Sequence, residues 1–254
     1  MIWSDIPSTT TLGWILRLSL KLLPRSSVVR VRTGLNKGMK WIVGSSTHGC
    51  WLGTYEHDKQ RVLARFIKPG MSVFDVGANA GFYTLAFARL VGSQGQVCAF
   101  EPLANKADYL LKHIGINRLT NVTVVQAAIG ERHGIASLHV EEDGSMSSVS
   151  DSAPYKVPVV SLDELCDAGV VPYPDVIKMD IEGSESLALK GSRSLLGKGR
   201  TVWFIALHGA EQRQQCQEIL RSSQYRIFHL DGHEHRGQIL DDDEIYAVPA
   251  ALIS

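Results

Sequence analysis

The stretch Val73-Phe74-Asp75-Val76-Gly77-Ala78-Asn79-Ala80-Gly81 constrains this chain more than any other. A short apolar run ends in a turn with glycine at both ends, and a helical pattern begins at about Phe82. Strand, glycine turn and helix open a βαβ unit, and in an open α/β sheet such turns lie at the carboxyl ends of the strands, where ligands bind. The chain keeps that rhythm. Apolar runs at residues 71–76, 96–100 and 122–127 alternate with helical stretches at 83–91 and 106–116, which predicts a parallel sheet. Residues 135–140 and 156–160 read as an antiparallel pair around a polar insertion, 141–154, expected to be a mobile loop. The core resumes at 176–181, followed by a helix to about residue 196, an almost unbroken apolar strand at 201–207, a helix at 211–222 and two last strands at 225–230 and 245–248. The expectation is an α/β, Rossmann-like fold: about seven strands, mostly parallel, with helices on both faces.

Ahead of this core, residues 28–43 read as a hairpin turning at 34–38, followed by a Gly- and Ser-rich loop at 44–53. Thr54 is expected to cap a helix at 55–67 that Lys68-Pro69-Gly70 stops. Residues 1–54 are thus an N-terminal helix, hairpin and site-covering loop, and 55–254 the ligand-binding domain. The apolar cluster Trp14, Ile15, Leu16, Leu18, Leu20, Leu22 and Leu23 is interrupted by Arg17 and Lys21, so it is too short and too charged to span a bilayer, and no signal-peptide cleavage site follows. An amphipathic helix at 11–23 is expected to pack on its own domain or on a second copy of the chain in preference to a membrane.

Charge narrows the partners. Lys plus Arg and Asp plus Glu number 26 each, so no global field draws the chain to phosphate backbones, and nucleic acid is not the expected substrate. The four cysteines, Cys50, Cys98, Cys166 and Cys216, form no C-x-x-C pair and read as reduced cytoplasmic thiols.

The glycine turn also selects its ligand. A nicotinamide fingerprint needs glycine at its first, third and sixth positions, but the third is Asn79 and the sixth Phe82. Asp75 would repel a pyrophosphate by more than about 1 kcal/mol and attract the ammonium of a methionine moiety. Glu101, followed by Pro102, ends the next strand and can accept from both ribose hydroxyls. S-adenosyl-L-methionine is therefore the expected cofactor. A nicotinamide-dependent oxidoreductase and a non-catalytic cofactor-binding subunit are the rival readings.

A second cluster closes the fourth core strand, where Lys178, Asp180 and Glu182 share one face by the two-residue period of a strand. Burying such charges for stability alone would cost several kcal/mol each, so a functional role is favoured. His208 follows the fifth strand at the same edge, with an ordinary pKa near neutrality that suits a general base. Glu182 and Glu185 also fit the N-terminus of the following helix. His48 and His57 are read as surface residues. His233-Glu234-His235 lacks a third metal ligand, and the acidic run at 241–244 reads as a solvated loop.

The strings Phe74 to Gly81, Phe100-Glu101-Pro102, Asn121-Val122-Thr123 and above all Lys178-Met179-Asp180-Ile181-Glu182-Gly183-Ser184-Glu185 resemble the FkbM family of methyltransferases over roughly residues 49–208. The resemblance implies a seven-stranded class I fold, S-adenosyl-L-methionine as methyl donor, and a small-molecule acceptor hydroxyl on a sugar, polyketide or lipid-like metabolite. Tyr55-Glu56 resembles a family element that closes the cofactor site. The expected cofactor-binding residues are Tyr55, Glu56, Asp75, Gly77, Asn79, Gly81, Tyr83, Thr84, Glu101, Pro102, Ala128 and Asp180, and the expected catalytic residues Asp180, Glu182 and His208. Family members often carry an acid two residues before this histidine, where the chain has Ala206. A divalent ion on Asp180, Glu182 and His208 is not expected, because Ala206 removes a natural further ligand.

Overall fold

Strands that bury both faces belong in the middle of a sheet, and Ser72–Val76, Val176–Met179 and Val202–Ala206 are buried at every residue. The computed structural model describes residues 23–140, 146–149, 155–239 and 244–253. A small antiparallel pair, β1 (Val28–Arg30) and β2 (Lys40–Ile42), comes first, then helices α1 (His48–Leu52) and α2 (His57–Phe66). The core opens with β3 (Ser72–Val76), α3 (Phe82–Val91), β4 (Gln96–Phe100), α4 (Ala104–Asn117) and β5 (Val122–Val125). A branch follows: β6 (Ala128–Ile129), β7 (Gly134–Val140), β8 (Met146–Val149) and β9 (Tyr155–Val160), a second sheet in the order β6-β9-β7-β8. The chain then continues through α5 (Leu162–Asp167), β10 (Val176–Met179), α6 (Glu185–Lys190), α7 (Arg193–Gly197), β11 (Val202–Ala206), α8 (Ala210–Ser222), β12 (Tyr225–His229) and β13 (Glu244–Pro249).

The main sheet has seven strands in the order β12-β13-β11-β10-β3-β4-β5. Six run in the same direction, and β13 runs antiparallel between β11 and β12. One face packs Val73, Val97 and Phe204 against Leu85 and Phe87 of α3; the other packs Phe74, Ile177, Met179 and Trp203 against Leu189, Leu195 and Leu220. Strand order reverses between β3 and β10, so the loops after these two strands part and leave a crevice between them. Among the described residues no helix is long and apolar enough to cross a membrane.

Several local expectations give way to tertiary contacts. The 44–53 loop contains α1, whose end is fastened by the Gly49 carbonyl accepting from the N–H groups of Gly53, Thr54 and Tyr55. Thr54 therefore caps nothing, and α2 starts at His57 behind Glu56 in the left-handed region (φ 45°). The insertion at 141–154 was expected to be a loop, but Met146–Val149 pairs with β7; residues 141–145 and 150–154 lie outside the described residues, as does most of the 11–23 helix. The helix expected to reach residue 196 is broken between α6 and α7, because Gly191 passes so close to the Gly130 carbonyl that a Cβ would lie 2.1 Å from it. The short α5, with its Ser161–Glu164 capping box, was not foreseen.

The N-terminal pair docks on α4 through buried polar contacts. Asn117 accepts from the Lys40 N–H and donates to the Lys40 carbonyl, as a strand partner would. His113 stacks on Trp41 with centroids 3.9 Å apart. Its Nε2 accepts from the Ile42 N–H (2.9 Å), so its Nδ1–H donates to the Ala80 carbonyl in the turn after β3 (2.7 Å). Both roles require a neutral ring, and burial pushes the His113 pKa down to about 4 from an ordinary 6.5. The folded state thus holds this proton more weakly than the unfolded chain, so the contribution is complete above about pH 6.5 and is lost as pH falls through about 4. Between pH 7 and pH 4.5 this group should remove about 2 kcal/mol of stability. Urea unfolding of the wild type and His113→Asn at both pH values checks it: the gap between them should narrow at the lower pH, and a constant gap would contradict the assignment.

Candidate active site

The turn after β3 presents backbone to the crevice. Gly77 has φ +79°, and a Cβ there would lie 1.9 Å from the Asp180 carbonyl, so glycine lets the ends of β3 and β10 approach this closely. Asn79 is left-handed (φ 48°), and Gly81 (φ 94°) leads into α3. The Phe100 carbonyl accepts from the N–H groups of Gly77 and Ala78, both at 3.0 Å. Glu101 accepts from the Asn79 N–H on Oε2 (2.8 Å) and the Leu103 N–H on Oε1 (2.9 Å). Burial pushes its carboxyl up, yet each oxygen keeps a lone pair that can take a hydroxyl.

Two cavities meet at this turn. The larger, about 320 Å³, runs over Phe100, Pro102, Ala127 and Ala128 to Ile181 and Glu182. The smaller, about 120 Å³, lies among Tyr55, Asn79, Tyr83, Glu101 and Asp180. Gly77 and Glu182 line both. An apolar slot, a buried carboxylate beside it and an acidic end fit the adenine, ribose diol and cationic methionine moiety of S-adenosyl-L-methionine.

Beneath the turn lies a buried charge centre. Lys178 and Asp75 are register partners on β10 and β3, and the Lys178 ammonium donates to the Gly77 carbonyl (3.1 Å) and lies 3.5 Å from Asp75 Oδ1. Asp75 Oδ2 accepts from the Thr84 hydroxyl at 2.6 Å. Asp75 and Thr84 are wholly buried and line neither cavity, so the expected direct attraction between Asp75 and a ligand ammonium is replaced by support from below. Glu56 accepts from the Tyr83 hydroxyl (2.8 Å), bringing α2 over the site.

Asp180, Glu182 and His208 come together. His208 Nε2 lies 3.3 Å from Glu182 Oε2 and 3.7 Å from Asp180 Oδ1, while its Nδ1 bonds Oε1 of the fully buried Glu185 at 2.8 Å. The Glu185 hydrogen bond, helped by the charges of Glu182 and Asp180 against partial burial, pushes His208 up to about 9. This corrects the near-neutral value expected for a general base. Burial opposes ionisation of Asp180, but Lys178, Lys59 and His208 outweigh it and hold the carboxyl low; burial pushes Glu182 up. Glu182 does not continue the strand face, because its backbone turns left-handed (φ 53°) after β10 ends at Met179.

Lys59 is a participant the sequence did not disclose. It is 4% exposed on α2, 3.1 Å from Glu56 and 3.8 Å from Asp180, and it donates to Glu244 at the start of β13. Glu244 therefore leaves the acidic run once read as solvated. Trp41, Ser46, Cys50 and Lys106 also line the smaller cavity without having been foreseen. The three-residue spacing of Glu56 and Lys59 on one helix face was the one local sign. His57 is exposed beside Asp58, His48 packs edge-on to Trp51, and Glu234 is taken by Arg226 at 2.7 and 2.8 Å.

A seven-stranded sheet with one antiparallel strand, a glycine turn at its switch point and a carboxylate ending the neighbouring strand together define the class I methyltransferases that use S-adenosyl-L-methionine. The family model described as the methyltransferase FkbM domain matches residues 75–236, well over half of the chain, and the protein belongs to that family. It is 28% identical to the hexuronic acid methyltransferase AglP of Haloferax volcanii over 65% of this chain and 67% of that protein. It is 24% identical to the 2-O-methyltransferase NoeI of Sinorhizobium fredii over 57% of this chain and 66% of that one. Among solved structures, the FkbM methyltransferase of Methylobacillus flagellatus aligns with a TM-score of 0.50 and 22% identity, covering 70% of this chain and 43% of that chain. The chain thus spans about two thirds of the length of the first two relatives and under half of the last.

A ribose diol held by Glu101 would lose one or two charge-assisted hydrogen bonds in Glu101→Ala, and the turn would lose the acceptor that holds the Asn79 N–H. Affinity for S-adenosylhomocysteine should fall about 10- to 100-fold, or about 1.5–3 kcal/mol. Calorimetry on a variant of confirmed fold checks this; an unchanged dissociation constant would place the ribose elsewhere.

Proposed function

We propose that this protein transfers the methyl group of S-adenosyl-L-methionine to a hydroxyl oxygen of a sugar or sugar acid. The observation that carries the proposal is the convergence of Asp180, Glu182 and His208 at the end of a cavity whose other end suits an adenosine. The relatives support the choice of acceptor, since one acts on a hexuronic acid and another is a 2-O-methyltransferase. In this reading the adenine lies against Pro102 and Ala128, Glu101 holds the ribose diol, and the turn from Gly77 to Asn79 together with Asp180 receives the methionine moiety. Tyr55 and Glu56, with Tyr83 on Glu56, close the site from α2.

Bound there, the cofactor supplies an electrophilic methyl on a sulfonium. The chain supplies placement, which for an in-line displacement between preorganised partners is worth several kcal/mol. Glu182 and Asp180 accept from the acceptor's hydroxyl and orient its oxygen. Glu185 fixes the His208 ring so that Nε2 faces the same point; as the S–C bond to the methyl breaks and the O–C bond forms, the hydroxyl proton passes to the Glu182 carboxylate, which is 43% exposed and releases it to water. Four buried, unpaired cysteines support a reducing, cytoplasmic setting.

Calorimetry should show binding of S-adenosylhomocysteine and none of NAD, and mass spectrometry should show a gain of one methyl on hexuronic acids or hexoses incubated with S-adenosyl-L-methionine. His208→Ala and Glu182→Gln should keep the wild-type affinity for S-adenosylhomocysteine and lower turnover about 100-fold or more. Either variant turning over at the wild-type rate would remove that residue from the reaction. Methyl transfer to no hydroxyl acceptor would remove the proposal.

A further inference from the structure

We propose that Asp180, Glu182 and His208 bind a divalent cation of the Mn²⁺ or Mg²⁺ kind at the acceptor end of the cavity. One ligand atom from each residue falls within 4.8 Å of the others. The separations of 3.3 and 3.7 Å from His208 Nε2 are close to the roughly 3 Å between adjacent ligands around an ion with bonds of about 2.0–2.2 Å, so small side-chain rotations suffice.

The second observation concerns what surrounds the three ligands. The Glu185 carboxylate, wholly buried, occupies His208 Nδ1, so Nε2 is the ring nitrogen that faces two carboxylate oxygens and can serve as a ligand. An imidazole nitrogen and two carboxylate oxygens converging on one point form a donor set suited to a cation between them. A buried carboxylate on the far nitrogen is also the usual support of a metal-binding histidine, fixing its tautomer and ring orientation. Asp180 divides its oxygens accordingly: Oδ2 faces Lys59 and Lys178 at 3.8 and 3.9 Å, and Oδ1 faces His208.

The donor set sets the kind of ion. Two carboxylates and one imidazole with no thiol favour a hard ion that keeps water or substrate oxygens in its remaining positions. Ala206, which argued against a metal in the sequence, then has a different meaning: where a further protein ligand is lacking, coordination positions stay open toward the cavity that Glu182 lines. An acceptor with two neighbouring oxygens, such as a vicinal diol or a hydroxyl beside a carboxylate, would fill them, and the ion would lower the pKa of the bound hydroxyl. This role rests on the acceptor position proposed above; the binding of the ion does not.

The test uses the full-length protein freed of metal with EDTA and returned to chelator-free buffer with S-adenosylhomocysteine. Titration with Mn²⁺, followed by the loss of its free-ion electron paramagnetic resonance signal, should show one ion bound per chain. Binding should weaken at least about 10-fold in Glu182→Gln, His208→Ala and Glu185→Gln, each checked for fold by circular dichroism, and should be unchanged in His233→Ala. Excess Mg²⁺ should displace the Mn²⁺. No stoichiometric binding, or equal binding by wild type and His208→Ala, would overturn the proposal and leave a proton on His208 as the cation that balances the cluster. Methyl transfer that proceeds in EDTA at the full rate would refute the ion's role while leaving the proposed function standing. Mn²⁺ binding without transfer to any hydroxyl would do the reverse.

Discussion

Everything at the carboxyl edge rests on one buried ammonium. Lys178 is 3% exposed in the middle of a parallel sheet, paired in register with Asp75, and it reaches the Gly77 carbonyl, Asp75 and Asp180 together. These partners belong to the two strands that part at the switch point, so one charge fixes the glycine turn on one side and Asp180 on the other. Removing it would leave Asp75 buried without a counter-charge, an arrangement that typically costs about 3–5 kcal/mol.

Around that centre, the site is closed by segments far apart in the chain. His113 ties β2 to the Ala80 carbonyl, so the N-terminal pair is fastened to the glycine turn itself. Lys59 ties α2 to the start of β13 and to Asp180, joining two otherwise unrelated segments beside the cavity. Burial disfavours its charge, but Asp180, Glu244 and Glu56 outweigh this and hold its pKa high. The walls of the site thus share polar contacts with its floor, and a change in either segment is transmitted to the ligand-binding residues.

What the sequence disclosed was whatever is written locally. The alternation of strands and helices, the Gly77 to Gly81 turn, Glu101 at the end of β4 and the Asp180 to Glu185 string all sit within one βα unit each, where periodicity and turn chemistry act directly. What it hid depends on partners brought together by folding. Lys59 and Glu244 are 185 residues apart, and nothing near either one marks the pair. The contact of Asp75 with Lys178 depends on a neighbouring strand, and the raised pKa of His208 depends on Glu185, which meets it only once β10 and β11 lie side by side. The break at Gly191 likewise follows from its approach to Gly130, which only the second sheet creates.

In the proposed function, one continuous site anchored on the turn after β3 holds the nucleoside at Glu101 and aims the sulfur at Asp180 and His208. A crystal structure of the protein with S-adenosylhomocysteine tests it most directly. The adenine should lie against Pro102 and Ala128, both ribose hydroxyls should bond the Glu101 carboxylate, and the thioether sulfur should face the Asp180–Glu182–His208 cluster. A ligand bound with its sulfur turned away from that cluster, or with its ribose out of reach of Glu101, would contradict it.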